Sequence, residues 1–268
     1  MLSAQNITFS IGEKKIIHNI DLDISSGEVV AICGPNGAGK SSLLKIISGE
    51  LKPSNGNVRI RDIDIVEWDI KELATIRAVL HQESFLSFPF LVEEVVQLGR
   101  YPYPNSTKND AIVEKCLINV GMKDYTKRTY TSLSGGEKQR VHLARVLAQL
   151  EEECASPKLL MLDEPTSALD LSHQEGTLHI ASQYAKHKNY AVIVVLHDLN
   201  LAAAWADRII FLKEGTLHTQ GSPSEILTPE IISQIYNIST RILLHPDTNR
   251  PVVVVDRNPK TQTFHHPI

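Results

Sequence analysis

The chain has 268 residues, a formal net charge of −4 and a hydrophobic content of 42%. This content is enough for a full core, and the length allows one or two domains. The slight acidity argues against a dedicated nucleic-acid binder, which needs a basic excess, so we expect no nucleic-acid partner. Because no apolar run approaches the roughly 20 residues that span a bilayer and no signal peptide is visible, we expect a chain that is soluble by itself.

The first third of the chain combines strand patterns with a glycine-rich loop. Residues 1–24 and 56–66 are predicted to form antiparallel strands separated by turn residues. Residues 28–33 are an apolar run typical of a strand buried on both faces. The sequence GPNGAGKS at 34–41 follows, and then apolar residues at helical spacing. A strand, a glycine loop and a helix in this order predict a phosphate-binding loop.

The residue types of this loop match the chemistry of a nucleoside triphosphate. Glycines allow backbone N–H groups to turn towards phosphate oxygens, and the helix N-terminus adds a favourable dipole. Lys40 is expected to reach the β- and γ-phosphates of ATP, and the Ser41 hydroxyl to bind Mg²⁺. The predicted nucleotide-binding residues of this segment are Gly34, Pro35, Asn36, Gly37, Ala38, Gly39, Lys40, Ser41 and Ser42.

A helical insertion is predicted in the middle of the chain. A short strand over 77–82 ends in Gln82, and helical periods then predominate from about 84 to 155. The insertion carries aromatic loops at 87–90 and 101–104. Their aromatic residues have two interpretations, a contact surface for a partner and local packing. It also carries LSGGEKQR at 133–140, directly before a helical run.

An alternation of buried strands and helices returns after the insertion and predicts a parallel sheet. Strands are predicted at 159–163, 190–196, 207–213 and 216–220, and helices at 171–186 and 198–205. Ligands of such sheets bind beyond the carboxyl ends of the strands. One site is therefore predicted to gather Lys40, Gln82, Asp163, Glu164 and His197.

Five motifs occur in the order found in the ATP-binding subunits of ABC transporters, and the chain resembles them over residues 2–235. The motifs are the phosphate loop, the Gln82 loop, LSGGE, LLMLDEPTSALD and the His197 loop. The resemblance implies an α/β fold: a P-loop (RecA-like) parallel-sheet core with an N-terminal antiparallel β subdomain and an inserted α-helical subdomain. The expected domains are an ATP-binding domain over 1–240 and a hairpin-like appendix over 241–268.

The resemblance also implies roles for individual residues. Glu164 would be the general base or would orient water, His197 would contact the γ-phosphate, and Gln82 would touch Mg²⁺ and the water. Asp163 would hold Mg²⁺ together with Ser41 and Gln82. ATP bound by one subunit of a head-to-tail homodimer would be covered by the partner's copies of three residues, Ser134, Gly135 and Gly136. Asp170 would lie at the dimer interface.

Within the family, the chain looks most like the type II importers for siderophores, cobalamin and haem, and among these like the hemin import subunits. The residues that carry this likeness lie at 88–103, 148–157, 167–174 and 196–202. The resemblance implies two transmembrane permease subunits, a periplasmic substrate-binding protein, and a peripheral position at the cytoplasmic face of the cell inner membrane. The loops at 83–103 would contact the permease.

One position departs from the family pattern, and several alternatives stay open. Ile11 stands where many relatives carry an aromatic residue that stacks on adenine, so stacking of the base is in doubt. The alternative cargoes are an iron–siderophore and cobalamin. A non-transport ABC ATPase and an ordinary P-loop kinase are the alternatives of other classes, although a kinase would not need LSGGE.

Overall fold

The computed structural model describes residues 1–82, 86–104, 106–152 and 156–256. Parts of three predicted segments, namely 83–85 of the contact loops, 153–155 of the insertion and 257–268 of the appendix, lie outside the described residues. The strands are β1 (Leu2–Ile11), β2 (Lys14–Ile24), β3 (Val29–Cys33), β4 (Asn55–Ile60), β5 (Ile63–Asp64), β6 (Arg77–Leu80), β7 (Leu159–Asp163), β8 (Ala191–Val195), β9 (Arg208–Lys213), β10 (Thr216–Gly221), β11 (Thr240–Leu244) and β12 (Pro251–Val255).

The helices alternate with these strands in the core and cluster in the insertion. They are α1 (Lys40–Ile47), α2 (Ile70–Ile76), α3 (Val92–Gln97), α4 (Asn109–Asn119), α5 (Gly135–Leu150), α6 (Leu171–Lys188), α7 (Leu199–Trp205), α8 (Pro223–Ile226) and α9 (Pro229–Tyr236). In the described part of the chain, no helix combines the length and the apolar character needed to cross a membrane.

The central sheet has the strand order β10-β9-β3-β8-β7-β6. The five strands from β9 to β6 run parallel, and β10 pairs antiparallel with β9. The strands β3, β7 and β8 are buried at every position, because helices or a second sheet cover both faces. The predicted parallel-sheet core is confirmed.

A separate antiparallel sheet, β2-β1-β4-β5, forms the N-terminal subdomain. Its apolar side chains join α1 and one face of the central sheet in one hydrophobic core. The second core lies on the other face and includes the helices of the insertion. The phosphate loop, between β3 and α1, therefore starts from a strand that is packed on both sides.

The sequence missed three short helices, α2, α8 and α9, and misjudged several boundaries, among them the end of β6, which is Leu80 and not Gln82. Residues 65–67 form a single 3-10 turn instead of continuing the strand, and α3 ends at Gln97 before another 3-10 turn. A helix of a few turns is marginal by itself and takes most of its stability from tertiary packing, which a single sequence does not show. The strands β11 and β12 pair antiparallel in the predicted hairpin. The division into domains at residue 240 stays a prediction.

Candidate active site

The phosphate loop has a backbone that requires glycine. Gly34 has φ 148°, and a Cβ atom there would lie 2.1 Å from the carbonyl oxygen of Leu212. Gly39, which directly precedes α1, has φ 97°, and its Cβ would lie 2.7 Å from Ile17 Cδ1. Gly34 and Gly39 therefore combine a positive φ with a close neighbouring atom, so only glycine fits at these two positions.

Lys40 is only 5% exposed, and its ammonium is held over the loop. Its Nζ donates hydrogen bonds to the carbonyl oxygens of Gly34 at 2.9 Å and Pro35 at 3.0 Å. Burial lowers the pKa of this ammonium, while the negative charges of Glu164 and Asp163 oppose that shift. An ammonium has three N–H donors, so the side chain can also reach a phosphate oxygen.

Asp163 ends β7 and is 4% exposed. Burial raises the pKa of its carboxyl, and a hydrogen bond from the Ser41 hydroxyl to Oδ1, at 3.3 Å, opposes the shift. A hydroxyl and a carboxylate oxygen at this distance are ligands of the type that Mg²⁺ prefers. Among the described residues, no cluster of three or more His, Cys, Asp and Glu side chains could hold a metal. This donor set suits Mg²⁺, which typically uses one or two carboxylates together with phosphate oxygens.

Glu164 is the centre of a second group of contacts. Gln82 Nε2 donates to Glu164 Oε2 at 2.7 Å, and His197 Nε2 lies 2.5 Å from Glu164 Oε1. Both carboxylate oxygens therefore face a side chain that comes from the end of another parallel strand, β6 for Gln82 and β8 for His197. The predicted meeting of Gln82, Glu164 and His197 occurs in the structure.

The backbone of Glu164 is strained, with φ 49° in a residue that is not glycine. Its carbonyl oxygen accepts hydrogen bonds from Ser167 N–H at 3.3 Å, Ser167 Oγ at 3.1 Å and Gln139 Nε2 at 3.3 Å. Such over-determined local strain is typical of functional sites. Gln139 lies on α5, so its bond also connects the helical insertion to the Glu164 turn, which the sequence did not predict.

A pocket joins the phosphate loop to Glu164 and His197, whereas Gln82 and Asp163 are not among the residues that line it. It is lined by Lys14, Ile16, Asn36, Gly37, Gly39, Lys40, Ser41, Ser42, Glu164 and His197. Lys14 and Ile16 were not predicted from the sequence; they follow Ile11 on the neighbouring strand and offer an alkyl stem and an aliphatic side chain. Ile11 itself is 64% exposed and does not line the pocket.

The segment Ser134–Gly136 lies apart from this pocket, at the start of α5. Ser134 Oγ accepts from the N–H of Glu137, and Glu137 Oε2 accepts from the N–H of Ser134 at 2.7 Å, which makes a capping box. These bonds lower the pKa of the Glu137 carboxyl. Gly135 is open, since a Cβ there meets no atom within 4 Å. The first turn of α5 therefore presents backbone N–H groups on an open surface.

Comparison with known proteins assigns this arrangement to a family. The sequence model described as ABC transporter matches residues 17–167. The chain is 47% identical over 259 residues to the "Hemin import ATP-binding protein HmuV" of Plesiomonas shigelloides, covering 92% of this chain and 98% of the relative. It is 41% identical over 256 residues to the protein of the same name from Escherichia coli O157:H7, covering 96% and 100%.

This chain belongs to the ABC transporter family. Its activity is ATP hydrolysis, the activity of the family. A solved structure described as an inward-facing conformation of a "putative metal-chelate type ABC transporter" matches with TM-score 0.79 and 26% identity, over 95% of this chain and 96% of the other. The ATP-binding cassette MJ0796, solved as a dimer bound to ADP and Pi, matches with TM-score 0.73 and 28% identity, over 83% and 98%. The predicted family and fold class are confirmed.

Proposed function

We propose that this chain is the ATP-hydrolysing subunit of an importer that takes up hemin across the inner membrane, where it is bound peripherally at the cytoplasmic face. The observation that carries the proposal is the 41% to 47% identity to hemin import ATP-binding proteins over nearly the full length of both chains. The two named relatives cover 92% and 96% of this chain, so the likeness is not confined to the ATP-binding motifs.

The residues of the site divide into two groups around the triphosphate. Lys40 and the loop N–H groups bind the β- and γ-phosphates, and Ser41, Asp163 and Gln82 hold Mg²⁺. When bound, Mg²⁺ neutralises negative charge that develops on the phosphate oxygens. The buried position of Asp163 favours this role, because its carboxylate lacks solvation that a cation can replace.

Glu164 and His197 act on the attacking water. Glu164 orients the water and accepts its proton, while His197 Nε2 holds the γ-phosphate and the water in line. The contact between the two side chains, at 2.5 Å, means that both already converge on one point of the pocket. Gln82 adds a third contact and connects this point to the segment that leads into the insertion.

Two copies of the chain form a head-to-tail dimer, in which the first turn of α5 from one copy covers ATP bound to the other. The open surface at Gly135 supports this arrangement, since nothing in its own subunit occupies that space. N–H groups and the dipole at the start of a 16-residue helix attract the γ-phosphate. The dimer reported for MJ0796 is a precedent in a protein of the same fold.

A groove on the insertion is the proposed docking site for the two permease subunits. It has a volume of about 750 Å³, and its lining includes Phe90, Leu98 and Tyr101 together with the acidic residues Glu93, Glu94, Asp110 and Glu114. Tyr101 is 80% exposed and Leu98 48%. Two lysines also line the groove, and Lys127 is paired with Glu93 and Lys123 with Glu114. The exposed apolar side chains are therefore the part of the groove that the apolar face of an amphipathic permease helix would contact. A periplasmic binding protein delivers the cargo to the permease.

The decisive experiment is a transport assay of the reconstituted complex. The chain, its permease pair and the binding protein are placed in vesicles, and uptake and ATPase activity are measured with hemin-loaded protein. Hemin is expected to stimulate ATP hydrolysis and to accumulate inside the vesicles. Parallel vesicles receive ferric siderophore or cobalamin; a response to one of these and none to hemin would refute the proposed cargo. A chain that never copurifies with a membrane protein would instead indicate a non-transport ATPase.

A further inference from the structure

The helix that follows His197, α7, is bonded to the C-terminal hairpin near both of its ends. Near its start, Asn200 Nδ2 donates to the carbonyl oxygen of Val253 at 3.2 Å, and the N–H of Val253 donates to Asn200 Oδ1 at 2.7 Å. The side-chain amide therefore pairs with β12 as a neighbouring strand would. At its end, Arg250 Nη1 donates to the carbonyl oxygens of Ala203 at 2.7 Å and Ala206 at 2.9 Å. These bonds satisfy carbonyls of the last turn, which have no partner within the helix.

The hairpin also contributes to the core beneath α7. Val253 is 9% exposed and belongs to the same hydrophobic cluster as Leu201, Ala202 and Ala203. The hairpin thus holds α7 by packing along its inner face and by hydrogen bonds near both ends, so a shift of α7 would have to break all of these contacts.

His197 occupies the short connection between β8 and α7. On one side, Leu196 N–H donates to the carbonyl oxygen of Ile32 at 3.1 Å. On the other, Asp198 caps α7 by accepting from the N–H groups of Asn200 at 2.7 Å and Leu201 at 3.2 Å. The His197 side chain is 44% exposed, so packing does not fix its direction. Its approach to Glu164 therefore depends on where β8 ends and where α7 begins.

We propose that the C-terminal hairpin is a positioning element for ATP hydrolysis, acting through Asn200 and Arg250 on α7 and through α7 on His197. This inference rests on the roles proposed above for His197 and Glu164. Neither Asn200 nor Arg250 lines the nucleotide pocket. Loss of their bonds should therefore disturb the catalytic geometry and leave nucleotide binding nearly intact. Misplacement of a catalytic group by about 1 Å can cost about 100-fold in rate.

The test compares Asn200→Ala and Arg250→Ala with Arg241→Ala in the full-length chain. Arg241 is a matched control because it lies on the same hairpin but bonds Asp256, at 3.2 Å, and its side chain is 73% exposed. We expect kcat for ATP hydrolysis to fall about 10-fold in the first two variants while KM changes by less than about twofold. Hydrogen exchange of residues 196–201 should accelerate in both, and Arg241→Ala should match the wild type. Arg250→Lys, which retains a charged donor group on a shorter side chain, should restore part of kcat.

A double-mutant cycle separates positioning from general destabilisation. If Asn200 acts through His197, then Asn200→Ala should cost nothing further in a His197→Ala background. An additive loss, unchanged kcat in both hairpin variants, or unchanged exchange at 196–201 would overturn the inference. Wild-type kcat in His197→Ala would overturn it together with the proposed role of His197. Failure of hemin to stimulate the complex would refute only the cargo, because the hairpin variants are measured by ATP hydrolysis and exchange.

Discussion

His197 Nε2 lies 2.5 Å from Glu164 Oε1, although the two residues are 33 positions apart in the chain. They come together because β7 and β8 are adjacent parallel strands and both side chains follow the carboxyl ends of these strands. Gln82, at the end of β6, completes the group from the other side of β7. The consequences for hydrolysis, binding, stability and assembly can each be measured.

Replacing Glu164 by glutamine should separate ATP binding from hydrolysis. The amide cannot accept the proton of water, so we expect kcat to fall by about 100- to 10,000-fold. ATP affinity should stay within about threefold of wild type, because the phosphate-loop contacts are unchanged. Gel filtration with ATP should show an accumulated dimer. Wild-type turnover in this variant would remove Glu164 from the mechanism.

Lys40→Ala should weaken nucleotide binding itself. Hydrogen bonds to charged groups contribute about 1.5–3 kcal/mol each, so loss of one phosphate contact predicts about 10- to 100-fold weaker ATP affinity in a titration with a fluorescent analogue. Lys15→Ala is the control, since Lys15 is exposed and does not line the pocket. Equal affinity in the two variants would argue against phosphate binding by Lys40.

Asp163→Asn should make the chain more stable at neutral pH while reducing ATPase activity. Because burial raises the pKa of Asp163, the folded chain binds a proton more readily than the unfolded chain, and the carboxylate lowers the free energy of unfolding as pH rises through that pKa. We expect the variant to have a higher Tm than the wild type at pH 7, where the wild-type carboxyl is charged in the unfolded chain. The gain should shrink as pH falls. Calorimetry across pH tests this, and a gain that grows towards acid pH would contradict the sign.

Mixing two inactive variants should restore activity if the dimer is head-to-tail. Lys40→Ala impairs the phosphate loop, and Gly135→Asp places a carboxylate where the partner's γ-phosphate would lie. The fold has room for this side chain, since a Cβ at Gly135 meets no atom within 4 Å. In a mixed dimer one site combines the intact phosphate loop with the intact α5 turn, so ATPase activity should reappear. No recovery on mixing, with dimers present by gel filtration, would place the α5 turn outside the partner's site.

Tyr101→Ala and Leu98→Asp should reduce copurification with the permease without reducing the stability of the isolated chain. Both side chains line the groove of the insertion and are exposed, so they contribute little to the core. Ile118→Asp is the matched control, because Ile118 is 50% exposed on α4 but is not part of the groove lining. Equal permease recovery in all three variants would exclude the groove as the docking site.

The sequence by itself determined the features that depend on neighbouring residues. The phosphate loop can be recognised because its glycines, Lys40 and Ser41 lie within one short segment. The buried strands β3, β7 and β8 are apolar at every position except Asp163, which ends β7. The helices α5 and α6 are long enough to be predicted from the sequence, whereas α2, α8 and α9 have at most eight residues each and were missed. The positions of Gln82, Glu164 and His197 after predicted strands suggested that the three side chains lie close together. The resemblance to the family motifs strengthened that prediction.

Only the tertiary structure decided which distant groups bond to one another. The pairing of Asn200 with Val253, the bond from Gln139 to the Glu164 carbonyl and the lining of the pocket by Lys14 and Ile16 depend on the packing of separate elements. Gln139 and Asn200 stand in segments that the sequence analysis quoted, but nothing in those segments indicates which partner each side chain bonds. The local sequence indicates which helices and strands form, because the periodicity of each element is visible within a few residues. Contacts between elements depend on how the whole core packs, and a single sequence carries no local signal for them.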